Sequence, residues 1–471
     1  YHDLTRINHE DPAVYNMIHQ ADTIGVFQVE SAAQMQTVTR ILPNNLTEMA
    51  YEVAAVRPGV GANNGVSQFI RRHMKQEQWD FDHPLERRSL ERTLGVILFQ
   101  DQVNQLSMDV AGFSPAEADL LRRAFVWRKD PSLLNLHWNK FKAGALNNGV
   151  PKDIAVKIFK KFNGQYMFPE SHAFAFGITA YHMAWLKYYY PLEFYTSIFN
   201  QQPMGFYNLE TLKEDAKRHG ISLLNPDINY SLEKCSIKDE SLLLGFMHVK
   251  GLGESTSSKI VEDRIRNGPY TTISDAMHRT KLQRQPLEML VISGAFDSIT
   301  THRRKALWEI GLRYRPQNSQ KPLPIPVEED IPDLPLQNDW EIMNSEYSTL
   351  GLYPSGHVMR FLRPHLPSYV MNSQSILDLS EGSLVTTAGL VIRRQRPHAK
   401  AVFVTIEDEL GHIPLVIWEG VYRNFRLLMQ EPLVQIEGLV SRREGTFNIV
   451  VHRVSEIKST GKTLPKSKDW Q

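Results

Sequence analysis

Hydrophobic residues along this chain follow three different patterns, one after another. From residue 9 to about residue 203 they recur every three or four positions, which predicts a region of amphipathic helices. From about residue 231 to residue 315, short apolar runs are interrupted by Gly and Lys, which predicts a short strand over 242–248 and then helices joined by tight turns. Between residues 384 and 457 apolar and polar residues alternate, as they do in half-buried strands. The pattern therefore predicts a multidomain protein that is mainly α at first and all-β near its end.

A proline-rich, acidic stretch separates the helical part from the β part. Its composition is typical of an extended, solvated linker. We expect a helical region over 1–203, a hairpin region over 204–315, the linker over 316–338, a connecting segment over 339–383, a β domain over 384–457 and a basic tail over 458–471.

One predicted helix carries adjacent arginines at its centre. Ser114 and Glu117 form a capping-box pattern at its start, and Asp130-Pro131 ends it. Arg122 and Arg123 have two possible roles. They could be solvated, with Asp119 pairing Arg123 one turn away. Alternatively, they could face a polyphosphate or a nucleic-acid backbone, because a guanidinium binds phosphate oxygens two at a time.

Two other segments could contribute to an anion site in the helical region. Ser171 and His172 stand at the start of a long, aromatic-rich helix, where the first-turn amides and the serine hydroxyl could hold an anion. Most of the aromatics that follow belong in a core, although one or two could stack on bases. Arg57 lies in an Arg-Pro-Gly turn, which either simply ends a helix or is a rigid turn that presents one cation.

The hairpin region contains a pattern typical of a helix-hairpin-helix. Lys250, Gly251, Gly253 and Ser255 follow an apolar run and open an amphipathic helix. Glycines at this spacing let backbone amides face a DNA phosphate, and the helix N-terminus adds its positive end. A plain tight turn between helices is the alternative. The segment 290–297 has the features of a degenerate second copy, with a basic flank made of His302, Arg303, Arg304 and Lys305.

The β domain has the element order of an oligonucleotide-binding barrel. We expect strands over 384–394, 401–407, 412–418, 433–440 and 446–454, with a short helix over 422–428 between the third and fourth. Basic residues fall at strand ends and turns, namely Arg393, Arg394, Arg396, Lys400, Arg442 and Arg443. Phe403 and Phe447 could stack on bases or could fill the barrel interior.

Composition narrows the possible functions. Lys and Arg total 53 against 52 Asp and Glu, a net charge of +1, so a nucleic-acid contact must come from local patches. The single cysteine, Cys235, excludes an internal disulfide and a cysteine-cluster zinc site. Because the sequence also contains no run of about 18 apolar residues, we expect a cytoplasmic protein with no membrane partner. It opens with Tyr1 rather than Met, so we expect a fragment.

An Asp-x-Asp pair at Asp80 and Asp82 has the spacing of a metal site on a strand. His83-Pro84 follows at once and no β-branched strand flanks the pair, so the pattern predicts a polar loop instead. We therefore expect no metal ligand at this pair.

Several stretches, taken in order, resemble one family. They are Gly25-Val-Phe-Gln-Val-Glu-Ser31, Val56-Arg-Pro-Gly59, Gly95-Val-Ile-Leu-Phe-Gln-Asp-Gln-Val103, Leu121-Arg-Arg-Ala124, Ser171-His172, Trp185-Leu-Lys187, Pro191-Leu-Glu-Phe194, Gly251-Leu-Gly253 and Ser293-Gly-Ala-Phe-Asp297, followed by the terminal barrel. With these motifs the chain resembles the alpha subunit of bacterial DNA polymerase III, a C-family DNA polymerase, over nearly all its length. The resemblance implies a fingers region up to residue 203, tandem helix-hairpin-helix motifs and an OB-fold domain, from the C-terminal part of the enzyme.

The resemblance also implies roles and partners. Arg122 and Arg123 would approach the phosphates of the incoming dNTP, and Ser171 and His172 would line the same cleft. The family's palm carboxylates, which hold two Mg²⁺ ions, would lie upstream of residue 1. We therefore expect binding of dNTP and primer-template DNA, with replication or translesion accessory proteins as candidate partners, and no polymerisation by the fragment alone. The alternative is a non-catalytic DNA-binding scaffold that retains the fold.

Two departures bear on the branch of the family. Glu170 stands where the replicative branch usually has a lysine, and we find no convincing clamp-binding peptide between the hairpin region and the barrel. Both features favour the error-prone branch.

Overall fold

The chain divides into two compact units. The first comprises residues 1–188 with 444–446, and the second comprises residues 189–443 with 447–471. The computed structural model describes residues 3–55, 64–126, 131–162, 168–314, 332–398, 400–442, 446–457, 464 and 467–470.

The first unit is helical, as its apolar pattern predicts. Its helices are α1 (Pro12–His19), α2 (Ala32–Ile41), α3 (Leu46–Ala55), α4 (Asn64–His73), α5 (Arg87–Leu90), α6 (Gln100–Ala111), α7 (Pro115–Val126), α8 (Pro131–Asn147), α9 (Lys152–Lys161) and α10 (Glu170–Tyr189), with 3-10 turns at Leu4–Arg6, Pro84–Glu86 and Glu91–Thr93. Helix α7 begins with the capping box expected for it, since the Ser114 amide donates to Glu117 at 2.9 Å. Asp80 and Asp82 lie in an irregular segment, where Lys161 pairs with Asp82 at 2.8 Å.

Two apolar clusters support this unit. Helices α6 to α9 enclose Leu121, Phe141 and Phe162, all fully buried. A second cluster joins α2, α3 and α4 to α10, and there a Cβ added at Gly177 would lie 3.0 Å from the Ala50 amide nitrogen. This close approach fixes α10 along its length, so that its first turn has a defined position.

The second unit combines helices with two sheets. Its helices are α11 (Pro191–Asn200), α12 (Leu209–Arg218), α13 (Glu254–Asn267), α14 (Ile273–Thr280), α15 (Arg284–Ile292), α16 (Arg303–Arg313), α17 (Asp339–Leu350), α18 (Val358–Leu362), α19 (Ser373–Leu377) and α20 (Glu419–Phe425). Its strands are β1 (Leu223–Leu224), β2 (Ser236–Lys238), β3 (Ser241–Leu243), β4 (Val370–Met371), β5 (Leu384–His398), β6 (Ala401–Glu407), β7 (His412–Trp418), β8 (Leu433–Ser441), β9 (Asn448–Glu456) and β10 (Lys468–Trp470).

The junction between the units falls ahead of α11, earlier than the boundary expected at residue 203. Helix α11 belongs to the second unit because its buried face packs there: Tyr195 donates to Asp215 at 2.6 Å, and Asn200 donates to the Cys235 carbonyl at 3.0 Å. The strand expected over 242–248 is also shorter, since β3 ends at Leu243 and Phe246–His248 form a 3-10 turn.

The strands β5 to β9 form the barrel that the alternating pattern predicts. They pair in the order β5-β6-β7-β9-β8, and β8 closes onto β5. All these pairings are antiparallel except β7 with β9. Helix α20 lies between the third and fourth barrel strands in sequence, as expected. This is the topology of an oligonucleotide-binding barrel, so the fold class of helical, hairpin and barrel parts is confirmed.

Within the part of the chain that the structure describes, no helix combines the length and apolar character that crossing a membrane needs.

Candidate nucleotide and nucleic-acid interfaces

A single carboxylate orients both arginines of α7. Arg122 bonds Asp119 through Nε at 3.1 Å and Nη2 at 2.7 Å, and Arg123 Nη2 lies 2.7 Å from the other Asp119 oxygen. The hydrogen bonds from Arg122, with the charges of both arginines, lower the pKa of Asp119 below its ordinary value. Arg123 is 64% exposed, whereas Arg122 is 22% exposed. The ion pair considered from the sequence is therefore present, and it leaves both guanidiniums fixed in direction.

The start of α6 connects α7 to α10. Arg122 Nη1 donates to the Gln100 side chain at 3.2 Å, and the Gln100 amide donates to the Phe168 carbonyl at 3.1 Å. Next to it, the Asp101 carboxylate accepts from the Glu170 amide at 2.7 Å. Ser171 and His172 follow Glu170 in the first turn of α10, and both are exposed. The structure thus brings Arg122 and the Ser171–His172 turn to the same end of α6.

Aromatic rings surround His172. Its ring centroid lies 5.3 Å from that of Phe168 and 4.0 Å from that of Phe176. Phe27, which is 39% exposed, meets Phe176 edge-on at 5.1 Å. Arg57 lies outside the described residues.

The first hairpin presents backbone amides to solvent. Gly251 has φ +82°, a conformation that favours glycine, and Gly253 caps α13 with φ −80°. Gly251, Gly253 and Ser255 are exposed, and a Cβ added at Gly253 meets nothing within 4 Å. Among the described residues, no acceptor meets the amides of Gly253, Glu254 or Ser255. This is the open helix N-terminus that the sequence predicts.

Two side chains beside the first hairpin make it less favourable for a phosphate than the sequence alone predicts. Lys250 donates its ammonium to the Ser348 carbonyl at 2.6 Å, so its charge lies against the end of α17. The exposed carboxylate of Glu254 stands at the first position of α13, where it opposes an approaching phosphate. Reasoning from the sequence missed the effect of Glu254, although its position directly after Gly253 already places a carboxylate at the helix start.

The second hairpin, between α15 and α16, is closed. Its turn over 293–296 is buried, and a Cβ at Gly294 would meet Arg303 Nη2 at 2.4 Å. Arg303 is 7% exposed and pairs with Asp297 at 2.6 Å and Glu346 at 2.8 Å. Arg303 was a predicted DNA contact; because its guanidinium is buried between two carboxylates, we do not retain it as one.

The other residues of the basic flank bond to the start of α17 and to the segment before it. Arg304 Nη2 bonds Glu341 at 2.6 Å, and Lys305 lies 3.0 Å from Asp333. His302 Nε2 lies 2.7 Å from the Leu334 carbonyl. These groups are engaged within the unit, so Arg304 is a weaker candidate for DNA than its sequence position suggests.

The predicted basic residues of the barrel differ in their surroundings. Arg393 is 7% exposed and donates to the Phe206 carbonyl at 3.2 Å, so we do not retain it as a DNA contact either. Arg394 bonds Ser467 at 2.8 Å. Arg442 is exposed, donates to the Leu379 carbonyl at 3.0 Å and lies over the Phe447 ring at 5.3 Å.

The outer face of the barrel carries an aromatic pair. Phe403 on β6 is half-buried and lies opposite Val416 on β7. Trp418, two residues further along β7, is 50% exposed and lies opposite Ala401 on the same face. Reasoning from the sequence missed Trp418, although the alternation of β7 places it on the outer face. Arg442, Phe403 and Trp418 are thus the accessible barrel residues of interest.

Comparisons with known proteins agree with this architecture. Residues 2–149 match the bacterial DNA polymerase III alpha subunit finger domain, residues 220–306 a helix-hairpin-helix motif, and residues 385–457 an OB-fold nucleic acid binding domain. The chain is 35% identical over 468 residues to the error-prone DNA polymerase of Nocardia farcinica, covering 96% of this chain and 41% of that protein. It is 36% identical over 468 residues to the error-prone DNA polymerase of Alkalilimnicola ehrlichii, covering 96% and 45% respectively.

The chain spans less than half the length of these relatives. Among solved structures, asparaginyl-tRNA synthetase from Pyrococcus horikoshii matches 17% of this chain and 21% of its own, at 26% identity and a TM-score of 0.15, which supports no argument about the fold. The family models and the relatives confirm the resemblance seen in the motifs: over nearly all its length the chain is similar to the bacterial DNA polymerase III alpha subunit family, and the two relatives are error-prone DNA polymerases.

Proposed function

We propose that this chain is the nucleotide- and DNA-holding portion of a DNA-directed DNA polymerase that carries out template-directed nucleotidyl transfer in error-prone synthesis. The observation that supports it most is that Arg122 and the segment leading into the Ser171–His172 turn both bond to the first residues of α6. An arginine pair and an exposed helix N-terminus in one place suit a triphosphate, which carries several negative charges close together.

In this proposal the residues of the first unit bind and orient the incoming dNTP. Arg122 and Arg123 hold phosphate oxygens through their forked donors, and the Ser171 and His172 amides with the Ser171 hydroxyl bind the same group. The Glu170 amide takes no part, because it donates to Asp101. Arg57 remains a proposed further cation. Magnesium ions supply charge neutralisation in such a transfer, and we assign their ligands to the part of the polymerase outside this chain.

The second unit would hold primer-template DNA. Amides at Gly251, Gly253 and Ser255 would contact a duplex phosphate, which positions the duplex without reading its sequence. Phe403, Trp418 and Arg442 would contact single-stranded template on the outer face of the barrel. Lys250, Arg304 and Arg394 remain secondary candidates, because each already has a partner in its own unit. Arg442 is bonded in the same way to the Leu379 carbonyl, and we prefer it because it also lies over the exposed side of the barrel beside the Phe447 ring.

Primer extension by a completed chain tests the nucleotide role. We would join this chain to the upstream portion of a relative and compare Arg122→Ala and Arg123→Ala with the parent. Each change removes a charge-assisted contact to phosphate, which is about 1.5–3 kcal/mol, so kcat/KM for dNTP should fall roughly ten- to a hundredfold.

Arg88→Ala is the matched control, because Arg88 is 76% exposed and pairs only loosely with Asp109 at 3.4 Å. A fall of less than about threefold in both α7 variants would contradict the phosphate role. If the completed chain binds DNA but extends no primer, the alternative of a non-catalytic DNA-binding scaffold is correct.

A further inference from the structure

A bidentate ion pair connects two distant parts of the first unit beside the proposed nucleotide site. Arg92, in the 3-10 turn Glu91–Thr93, meets Glu170, the first residue of α10. Its Nη1 and Nη2 donate to the two oxygens of that carboxylate, the second at 2.6 Å. Parallel bonds of this kind fix the relative orientation of the two groups as well as their distance.

The ion pair acts together with the contacts at the start of α6. Asp101 accepts from the Glu170 amide at 2.7 Å, and Phe168 accepts from the Gln100 amide at 3.1 Å. These bonds set where α10 begins, but each is made by the backbone of α10 or of the residues before it. The Arg92–Glu170 pair adds a side-chain connection from a third element, so the first turn is held from two directions.

A purely stabilising role does not require this geometry. A carboxylate in the first turn of a helix already interacts well with the helix dipole, without any distant partner. Arg92 is 48% exposed and Glu170 is 20% exposed, so solvent screens the pair and its contribution to overall stability is modest. The residue that the pair does hold is Glu170, which directly precedes Ser171 and His172.

We infer that Arg92 and Glu170 form a positioning pair for the nucleotide site, a role that rests on the proposed function above. The pair holds the Ser171–His172 turn in register with Arg122, so that one triphosphate can reach both. It also keeps the Arg92 guanidinium on Glu170, so that Arg92 itself does not contact the ligand. Loss of either partner should therefore weaken dNTP binding through the same displacement.

A double-mutant cycle in the completed polymerase tests this inference. The variants are Arg92→Gln, Glu170→Gln and the double variant, each assayed for KM for dNTP and for kcat in primer extension. Either single substitution breaks the ion pair and displaces the Ser171–His172 turn from the triphosphate. Each should therefore raise KM by about tenfold and change kcat by less than about threefold. The double variant should match the single variants, because the second change removes nothing further. Arg92→Lys, which keeps the charge but not the fork, should give an intermediate KM.

Other outcomes would overturn the inference. A KM raised about a hundredfold in the double variant would mean that the two residues act independently. A raised KM in Arg92→Gln alone would mean that Arg92 binds the nucleotide directly. Unchanged KM in all variants would remove any positioning role. Thermal unfolding of each variant, with Arg88→Gln as the matched surface control, shows whether a substitution destabilises the whole protein. If KM rises only in variants that are destabilised in this way, the positioning role is contradicted.

Arg122→Ala separates this inference from the proposed function. If Arg122→Ala leaves KM and kcat unchanged, the nucleotide site itself is wrong. If Arg122→Ala impairs extension and the Arg92–Glu170 variants do not, the nucleotide site stands and only the positioning role fails.

Discussion

At the scale of single residues, the main feature of the first hairpin is the group of accessible backbone amides at Gly253. The amides of Gly253, Glu254 and Ser255 have no acceptor among the described residues, and the space beside Gly253 is empty. The nearby Lys250 ammonium is bound to a carbonyl, and Glu254 places a negative charge beside the amides. Any duplex contact here must therefore depend on neutral backbone donors more than on cations.

Gly253→Val should weaken duplex DNA binding about tenfold or more, to a similar degree for unrelated sequences. The added Cβ meets no protein atom within 4 Å, so we expect the fold to be kept while a phosphate is kept away from the amides. Electrophoretic mobility shift at fixed salt measures the change. Gly420→Val is the control, because a Cβ at Gly420 also meets nothing within 4 Å. Equal affinity of both variants and the parent would show that the duplex does not approach Gly253.

At the scale of elements, the 3-10 turn Phe246–His248 joins the small sheet to the first hairpin. His248 is 8% exposed, and the Phe199 ring meets it edge-on at 5.8 Å. Burial of the ring lowers the pKa of His248 to about 4. Between this value and the ordinary pKa near 6.5 the unfolded chain binds a proton that the folded chain does not, so stability falls as the pH falls.

We therefore expect His248 to make the second unit less stable in mild acid. From pH 7 to pH 5 its contribution to the free energy of unfolding should fall by about 2 kcal/mol. Urea unfolding at both pH values measures this, with His248→Gln as the comparison, since it cannot be protonated. The parent should lose more stability than the variant between the two pH values. Equal losses would mean that His248 is not responsible.

At the scale of the whole molecule, alternation and glycine spacing predicted the elements well, whereas partners distant in sequence could not be predicted. The barrel strands follow from local periodicity, and the α13 start follows from Gly251 and Gly253. The burial of Arg303 depends on Glu346, and that of Arg393 on Phe206, which lie far away in the chain. A basic residue at a turn therefore indicates a possible contact, and only packing decides whether the charge is available.

The accessible barrel residues should bind single-stranded DNA with an affinity that falls as salt rises, because phosphate contacts release counterions. Arg442→Ala should reduce the slope of log affinity against log salt by about 0.7, the value for one phosphate contact on a single strand. Trp418→Ala should lower affinity roughly five- to a hundredfold and leave the slope unchanged, because stacking on a base displaces no ion. Fluorescence anisotropy with a labelled oligonucleotide over a salt series measures both quantities. A flat salt dependence in the parent would contradict phosphate binding by the barrel.

Asp119 pairs with both Arg122 and Arg123, and this arrangement affects which anions the two arginines can bind. A monoanion offers the two guanidiniums no more than this carboxylate already does, and so it has little to gain by displacing Asp119. A polyanion can engage both guanidiniums at once and outcompete it. The α7 surface should consequently discriminate among ligands by how many negative charges they carry, and it should ignore the abundant singly charged metabolites that surround it.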